Sequence, residues 1–212
     1  MIEDLPAFVE CTPRVLEIAE GFSLGLSEKE FVIYNNLSIQ IEQGDVVYIT
    51  GQSGSGKSLR LRDLVTQMRK DGLKVADLNS IELDEKPVIE LIGDNTVKAT
   101  DYLAKAGISD AWIYIRKPSE LSDDQCYRLK LAKVMESDAD VWGADEFGAV
   151  LDRVSARVVV FNIAKVVRPL GKILMVATTH TDLIDELAPN LTITRCFTKK
   201  LVASVFSFIE YV

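Results

Sequence analysis

One short segment constrains this chain more than any other: Val46-Val47-Tyr48-Ile49-Thr50 running directly into Gly51-Gln52-Ser53-Gly54-Ser55-Gly56-Lys57-Ser58. The apolar run reads as a buried strand. The glycines after it let the backbone wrap tightly with several N–H groups pointing inward. The sequence from Lys57 onward reads as a helix with Leu61, Leu64, Val65 and Met68 on its inner face, and its N-terminus adds a potential that favours anions. Strand, GxxxxGK[ST] loop and helix in that order form a cradle for nucleotide phosphates. Lys57 is expected to reach the β- and γ-phosphates and the Ser58 hydroxyl to ligate Mg²⁺. Gly51, Gln52, Ser53, Gly54, Ser55, Gly56, Lys57, Ser58 and Leu59 are the expected ATP contacts. A glycine-rich turn that merely joins strand to helix is the alternative, and the flanking elements argue against it.

A second site follows downstream. Val141-Trp142-Gly143-Ala144 reads as a strand ending in Asp145-Glu146. A carboxylate at such a strand end can hold Mg²⁺ beside the phosphate loop, and a second carboxylate next to it can polarise the attacking water. Asp145 is therefore the metal candidate and Glu146 the catalytic one. Elsewhere, apolar runs alternate with helical spacing, which predicts an α/β architecture with a mainly parallel sheet. Lys74-Val75-Ala76, Val88 to Ile92 and Ile173 to Thr178 read as strands. Thr96–Ile115, Ser122–Met135 and Arg153–Val167 read as helical. Val15, Leu16 and Ile18, then Phe31, Val32 and Ile33, then Leu37, Ile39 and Ile41, with turns at Gly21 and Asn35-Asn36, predict an N-terminal antiparallel β layer.

Between the two sites lies Leu121-Ser122-Asp123-Asp124-Gln125, followed by a helical run with Arg128 and Ala132-Lys133. This resembles the signature of the ABC (ATP-binding cassette) ATPases, usually LSGGQ. Ala149-Val150-Leu151-Asp152 resembles that family's D-loop, and Thr178-Thr179-His180 its switch-histidine loop. The motifs come in the family's order, over roughly Phe22 to Leu187. The resemblance implies one ABC-type domain over residues 1–212, with a P-loop NTPase core and a short helical subdomain at about 93–137. It implies ATP hydrolysis in a head-to-tail dimer, homomeric or heteromeric, in which Ser122 and Gln125 of one copy meet the ATP held by the Lys57 loop of the other. His180 would contact the γ-phosphate, and an aromatic upstream of the phosphate loop would stack on adenine: Phe22, with Phe31 and Tyr34 as rivals. Ser122 reads equally as a helix N-cap, with Gln125 completing a capping box. A lone histidine such as His180 is often structural.

Two departures from the family pattern stand out. The glutamine expected to end the strand near Val88–Ile92 is missing, and Glu90 or Asp94 is the substitute, Glu90 being the metal candidate. That change, and the short helical region after it, predicts coupling to a soluble partner rather than to a transporter. At Asp124 the family has glycine, so a side chain and a negative charge are expected to crowd the opposite nucleotide, weaken a homodimer and slow turnover. The surroundings of these motifs most resemble soluble ABC ATPases that are often fused to an acetyltransferase-like domain; none is read here.

Composition adds exclusions. No stretch approaches the ~18–20 apolar residues that cross a bilayer, and Met1-Ile2-Glu3-Asp4 lacks a signal-peptide pattern, so a cytoplasmic protein without membrane insertion is expected. Cys11, Cys126 and Cys196 are scattered, with neither disulfide nor zinc spacing. The net charge of −8 gives no indication of nucleic-acid binding, although a local basic patch would still permit it.

Overall fold

In the computed structural model, which describes residues 12–14, 17–18, 40–195 and 202–205, the apolar runs assemble into one sheet. Its strands are β1 (Val46–Gly51), β2 (Val75–Asp77), β3 (Val141–Ala144), β4 (Ile173–Thr178), β5 (Leu191–Arg195) and β6 (Val202–Val205). They lie in the order β2-β3-β4-β1-β5-β6. Every neighbouring pair is parallel except the terminal β5–β6 pair. β1 and β4 are apolar without alternation because both faces of the sheet centre are covered.

The covering helices are α1 (Lys57–Lys70), α2 (Val88–Leu91), α3 (Thr96–Lys105), α4 (Ala111–Tyr114), α5 (Asp123–Glu136), α6 (Arg153–Val167) and α7 (Ile184–Leu187). α1 buries Arg60, Leu61 and Val65. A Cβ on Gly143 would sit 3.4 Å from Val65 Cγ2, so a small residue in β3 lets α1 lie close on that face. Trp142 and Ala144 point the other way, by the two-residue alternation of a strand. They join a core with Leu129, Leu131 and Ala132 of α5 and Ala156, Val159, Val160 and Ile163 of α6. The i, i+3, i+4, i+7 spacing of those α6 residues is what makes Arg153–Val167 a helix with one buried face.

Two sequence expectations fail. Val88–Ile92 is not a strand: Val88–Leu91 is a helical turn after Pro87. Val88, Leu91 and Ile92 are buried together, which a turn satisfies through i, i+3 and i+4 neighbours. The turn is tied down by Val88 N–H to the Arg116 carbonyl and by Lys133 Nζ to the Leu91 carbonyl, at 2.8 and 2.9 Å. The strand beside β3 is β2. Secondly, the backbone at Pro13, Arg14, Glu17 and Ile18 is helical where strand was expected; Pro13 has the fixed φ suited to a first helical turn. Ile41, the last residue of the expected antiparallel layer, is not in a strand; its remaining residues, with Phe22, Phe31 and Tyr34, lie outside the described residues, as do Cys11 and Cys196.

Contacts group the chain into Met1–Ile39 and Gln40–Val212, and the second unit carries every motif residue discussed below. Among the described residues no helix is long and apolar enough to cross a membrane.

Candidate functional site

β1 delivers the glycine-rich loop and α1 receives it. Gly54 and Gly56 have φ of 74° and 81°, a region where a Cβ is strained, so glycine is required for the loop to turn back on itself. Gly56 is the N-cap of α1 and offers no side chain, which leaves the first N–H groups of the helix facing the loop. Lys57 Nζ donates to the carbonyls of Gly51 and Gln52 at 3.1 and 2.9 Å, so its ammonium lies across the loop. Ser53, Gly54, Gly56, Lys57, Ser58 and Leu59 line an open cleft of about 680 Å³ together with Asp145, Glu146, Thr178 and Thr179. That size suits a nucleotide-sized ligand.

The acidic pair is held from both sides. Asn79, in the turn after β2, faces the backbone of Asp145 like a paired strand residue: its Oδ1 accepts from Asp145 N–H at 2.8 Å and its Nδ2 donates to the Asp145 carbonyl at 3.2 Å. Asp77 Oδ1 in turn accepts from Asn79 N–H at 3.0 Å and fixes that turn. Glu146 has φ of 49°, which for a non-glycine residue costs roughly 1 kcal/mol or more. The strain is held by Glu146 N–H on Asp145 Oδ1 at 3.0 Å, by Phe147 N–H on the Ala177 carbonyl at 2.9 Å, and by burial of the Phe147 ring. Asp77 and Asn79 line an adjoining cleft with Ser58, Asp145 and Glu146.

Glu90 is absent from both clefts and stands exposed on α2, which corrects its assignment as a metal candidate. Asp94 is tied to Lys98 at 2.9 Å, and that hydrogen bond holds its carboxyl below the ordinary range. The amide after the strand next to β3 is Asn79. It was missed because the amide was sought at the end of Val88–Ile92 rather than after the Lys74-Val75-Ala76 strand, where Asp77-Leu78-Asn79 carries the polar turn signal.

Ser122 is the N-cap of α5. Its Oγ accepts from Gln125 N–H at 3.2 Å and Gln125 Oε1 accepts from Ser122 N–H at 3.1 Å, a complete capping box. Neither residue lines the cleft of its own chain. Asp124 faces Arg128 along the same helix, with Arg128 Nη2 2.9 Å from Asp124 Oδ2. Tyr127, on the inward side, connects α5 to the loop after Glu146: its hydroxyl accepts from Gly148 N–H at 2.9 Å and its ring tilts against Phe147. Burial pushes the Tyr127 phenol pKa well up.

His180 follows β4. Its N–H donates to Thr178 Oγ1 at 3.1 Å, its carbonyl accepts from the Tyr48 hydroxyl, and its Nδ1 lies 2.9 Å from Arg153 Nη1.

No family model matches the chain. The chain is 25% identical to a probable export ATP-binding/permease protein of Pseudomonas fluorescens, over 76% of the chain but only 29% of that relative's length. It is 26% identical to the phosphonates import ATP-binding protein PhnC of Lactococcus lactis, over 74% of the chain and 80% of the relative. A cytochrome c biogenesis ATP-binding export protein, CcmA of Colwellia psychrerythraea, is also 26% identical, over 64% of the chain and 74% of the relative. Among solved structures, the ATP-binding cassette MJ0796, a dimer bound to ADP and Pi, superposes with a TM-score of 0.60 at 20% identity, over 76% of this chain and 85% of that one. This chain shares the fold of that cassette. The structure of cbiO1 from Clostridium perfringens, part of the transporter complex cbiONQ, gives a TM-score of 0.56 at 17% identity, over 76% of this chain and 80% of that one. The chain is thus similar in sequence to ATP-binding proteins of export and import systems and similar in fold to solved ATP-binding cassettes.

Proposed function

We propose that this cassette hydrolyses ATP to ADP and phosphate in a head-to-tail dimer, with two copies of the chain or one copy and a related cassette closing on two nucleotides. The observation that carries the reading is a division of labour: Lys57, Ser58, Asp145 and Glu146 share one cleft, while Ser122 and Gln125 lie outside it. A second copy related by a two-fold axis brings its own Ser122 segment to that cleft and receives the same in return. MJ0796, the cassette of similar fold, was solved as a dimer with ADP and Pi.

Ser58 and Asp145 are the residues that would hold Mg²⁺. The described residues contain no cluster of three or more His, Cys, Asp or Glu that could hold a metal. Ser58 and Asp145 line the same cleft, and a hydroxyl and a carboxylate beside nucleotide phosphates are oxygen donors of the kind Mg²⁺ takes. When bound, Mg²⁺ neutralises charge on the phosphates. Glu146 accepts the proton of the attacking water, Lys57 and His180 donate to the phosphate oxygens as charge moves onto them, and the glycine-rich loop fixes the phosphate chain by backbone N–H groups.

The work driven by the cycle is read as that of a soluble protein partner met in the cytoplasm. A second reading, a transporter ATPase subunit, is favoured by the export and import proteins the chain is similar to. Asn79 also weakens the argument against it, because an amide does stand after the strand beside β3. A fused acetyltransferase-like domain has no supporting observation.

The test is light scattering of the Glu146→Gln protein. A monomer without nucleotide and a dimer at saturating ATP are expected; a monomer in ATP at ~10–50 μM protein, well above the ~1 μM Kd of a dimer held by about 8 kcal/mol, would overturn the dimeric site.

A further inference from the structure

Arg153 opens α6 directly after the Ala149–Asp152 loop, and its guanidinium bridges to the loop after β4. Nη1 lies 2.9 Å from His180 Nδ1 and 2.6 Å from Asp182 Oδ1. A guanidinium carries donors and no acceptor. The imidazole nitrogen that faces it must therefore be the unprotonated one, which leaves the ring proton on Nε2. Both ends of the contact are fixed. The His180 backbone is held by Thr178 Oγ1 and by the Tyr48 hydroxyl. The start of α6 is held by Asp152 Oδ1, which accepts from Val154 and Ser155 N–H at 3.0 Å each, and the Ser155 contacts keep its carboxyl below the usual range.

We infer that Arg153 is a positioning residue for His180: it orients the ring and keeps the proton on Nε2, so that Nε2–H is the donor presented to the nucleotide. Asp182 holds the guanidinium in place. The inference deepens the proposed ATPase reading and rests on it for its consequence in turnover. It also ties the loop after Glu146 to the histidine loop, since one side chain spans both. Arg153 and Asp182 are 63% and 40% exposed, so the ion pair adds little to the stability of the fold and Arg153 can be replaced without unfolding the protein.

His180 is the only histidine of the chain, so the imidazole ¹⁵N correlations of the whole protein report one ring. In the wild type they should show the proton on Nε2. Arg153→Met should shift the Nδ1 resonance, and Arg153→Lys, which keeps a cationic donor, should restore it in part. In phosphate release, Arg153→Met should lower kcat roughly tenfold with KM for ATP within about twofold, the loss of an orientation used in the transition state. On a His180→Ala background the same change should cost nothing further, because Arg153 acts through the ring. A wild-type ring with its proton on Nδ1, a ring spectrum indifferent to Arg153→Met, or an equal loss of turnover with and without His180 would each overturn the assignment. If wild type releases no phosphate, the ATPase reading fails, while the ring spectrum still decides the role of Arg153.

Discussion

Asp124 stands where the family signature has glycine, and the structure changes what its removal should do. Read from the sequence, the carboxylate is an intruder: at ~5 Å from a phosphate charge and an effective dielectric of ~20, each charge pair costs about 3 kcal/mol. In the fold the carboxylate is already spoken for. Arg128 Nε and Nη2 donate to Asp124 Oδ1 at 3.1 and 2.9 Å, and the side chains are only 31% and 17% exposed for Asp124 and Arg128. A cation this close makes the pair nearly neutral at the distance of a nucleotide and removes most of that repulsion. Deleting the carboxylate then loses two favourable terms. An acid in the first turn of α5 contributes about 0.3–1 kcal/mol. The charge-assisted bonds of a partly buried pair contribute about 1–2 kcal/mol, discounted for exposure. Arg128 would keep one acceptor, the Gly107 carbonyl at 3.0 Å. Asp124→Ala should therefore destabilise the protein by about 2 kcal/mol. Urea unfolding followed by circular dichroism should show the midpoint falling by about 1 M at an m-value near 2 kcal/mol/M. Arg128→Met should cost a similar amount, and the double variant should fall short of additivity by about 1 kcal/mol. Stability within about 0.5 kcal/mol of wild type, or an Asp124→Gly protein that turns over several-fold faster at unchanged stability, would refute this reasoning and return Asp124 to the role of intruder.

Asn79→Ala removes the two bonds that square Asp145 against β2, and kcat for phosphate release should fall about tenfold, with unfolding free energy down by roughly 1 kcal/mol; unchanged turnover would show that β3 alone positions the acid. Tyr127→Phe strips Gly148 N–H of its acceptor inside the core, so calorimetry should find Tm lowered by roughly 3–6 °C, the equivalent of about 1–2 kcal/mol in a chain of this size; an unchanged Tm would contradict the contact between α5 and the loop after Glu146.

Much of the site was legible because its chemistry is local in the chain. The glycine loop, the strand that feeds it and the helix that leaves it are consecutive, so spacing alone defines them. The same holds for Asp145-Glu146 after β3 and for the Ser122–Gln125 capping box. Helix α6 and strand β4 were readable to their ends because one has a clean 3.6 periodicity and the other an unbroken apolar run. What failed was non-local. Val88–Ile92 has the composition of a strand, and only burial against the helices around it makes it a turn. That misreading carried Glu90 into the metal set and hid Asn79, whose importance comes from two hydrogen bonds to a residue far along the chain. Arg128 and Arg153 were invisible as partners for a similar reason: an i, i+4 arginine is ordinary on any helix, and the bridge from Arg153 to His180 exists only once α6 and the β4 loop are side by side.

The central claim is that Glu146 activates water on ATP held by the Lys57 loop, and phosphate release tests it most directly. With Mg²⁺ and saturating ATP, wild type should release phosphate steadily, and Glu146→Gln should be slower by two orders of magnitude or more while still binding ATP, the ~10²–10⁴ expected of a general base. Turnover in Glu146→Gln equal to wild type would contradict the claim, as would wild-type release no greater than that of a Lys57→Ala control.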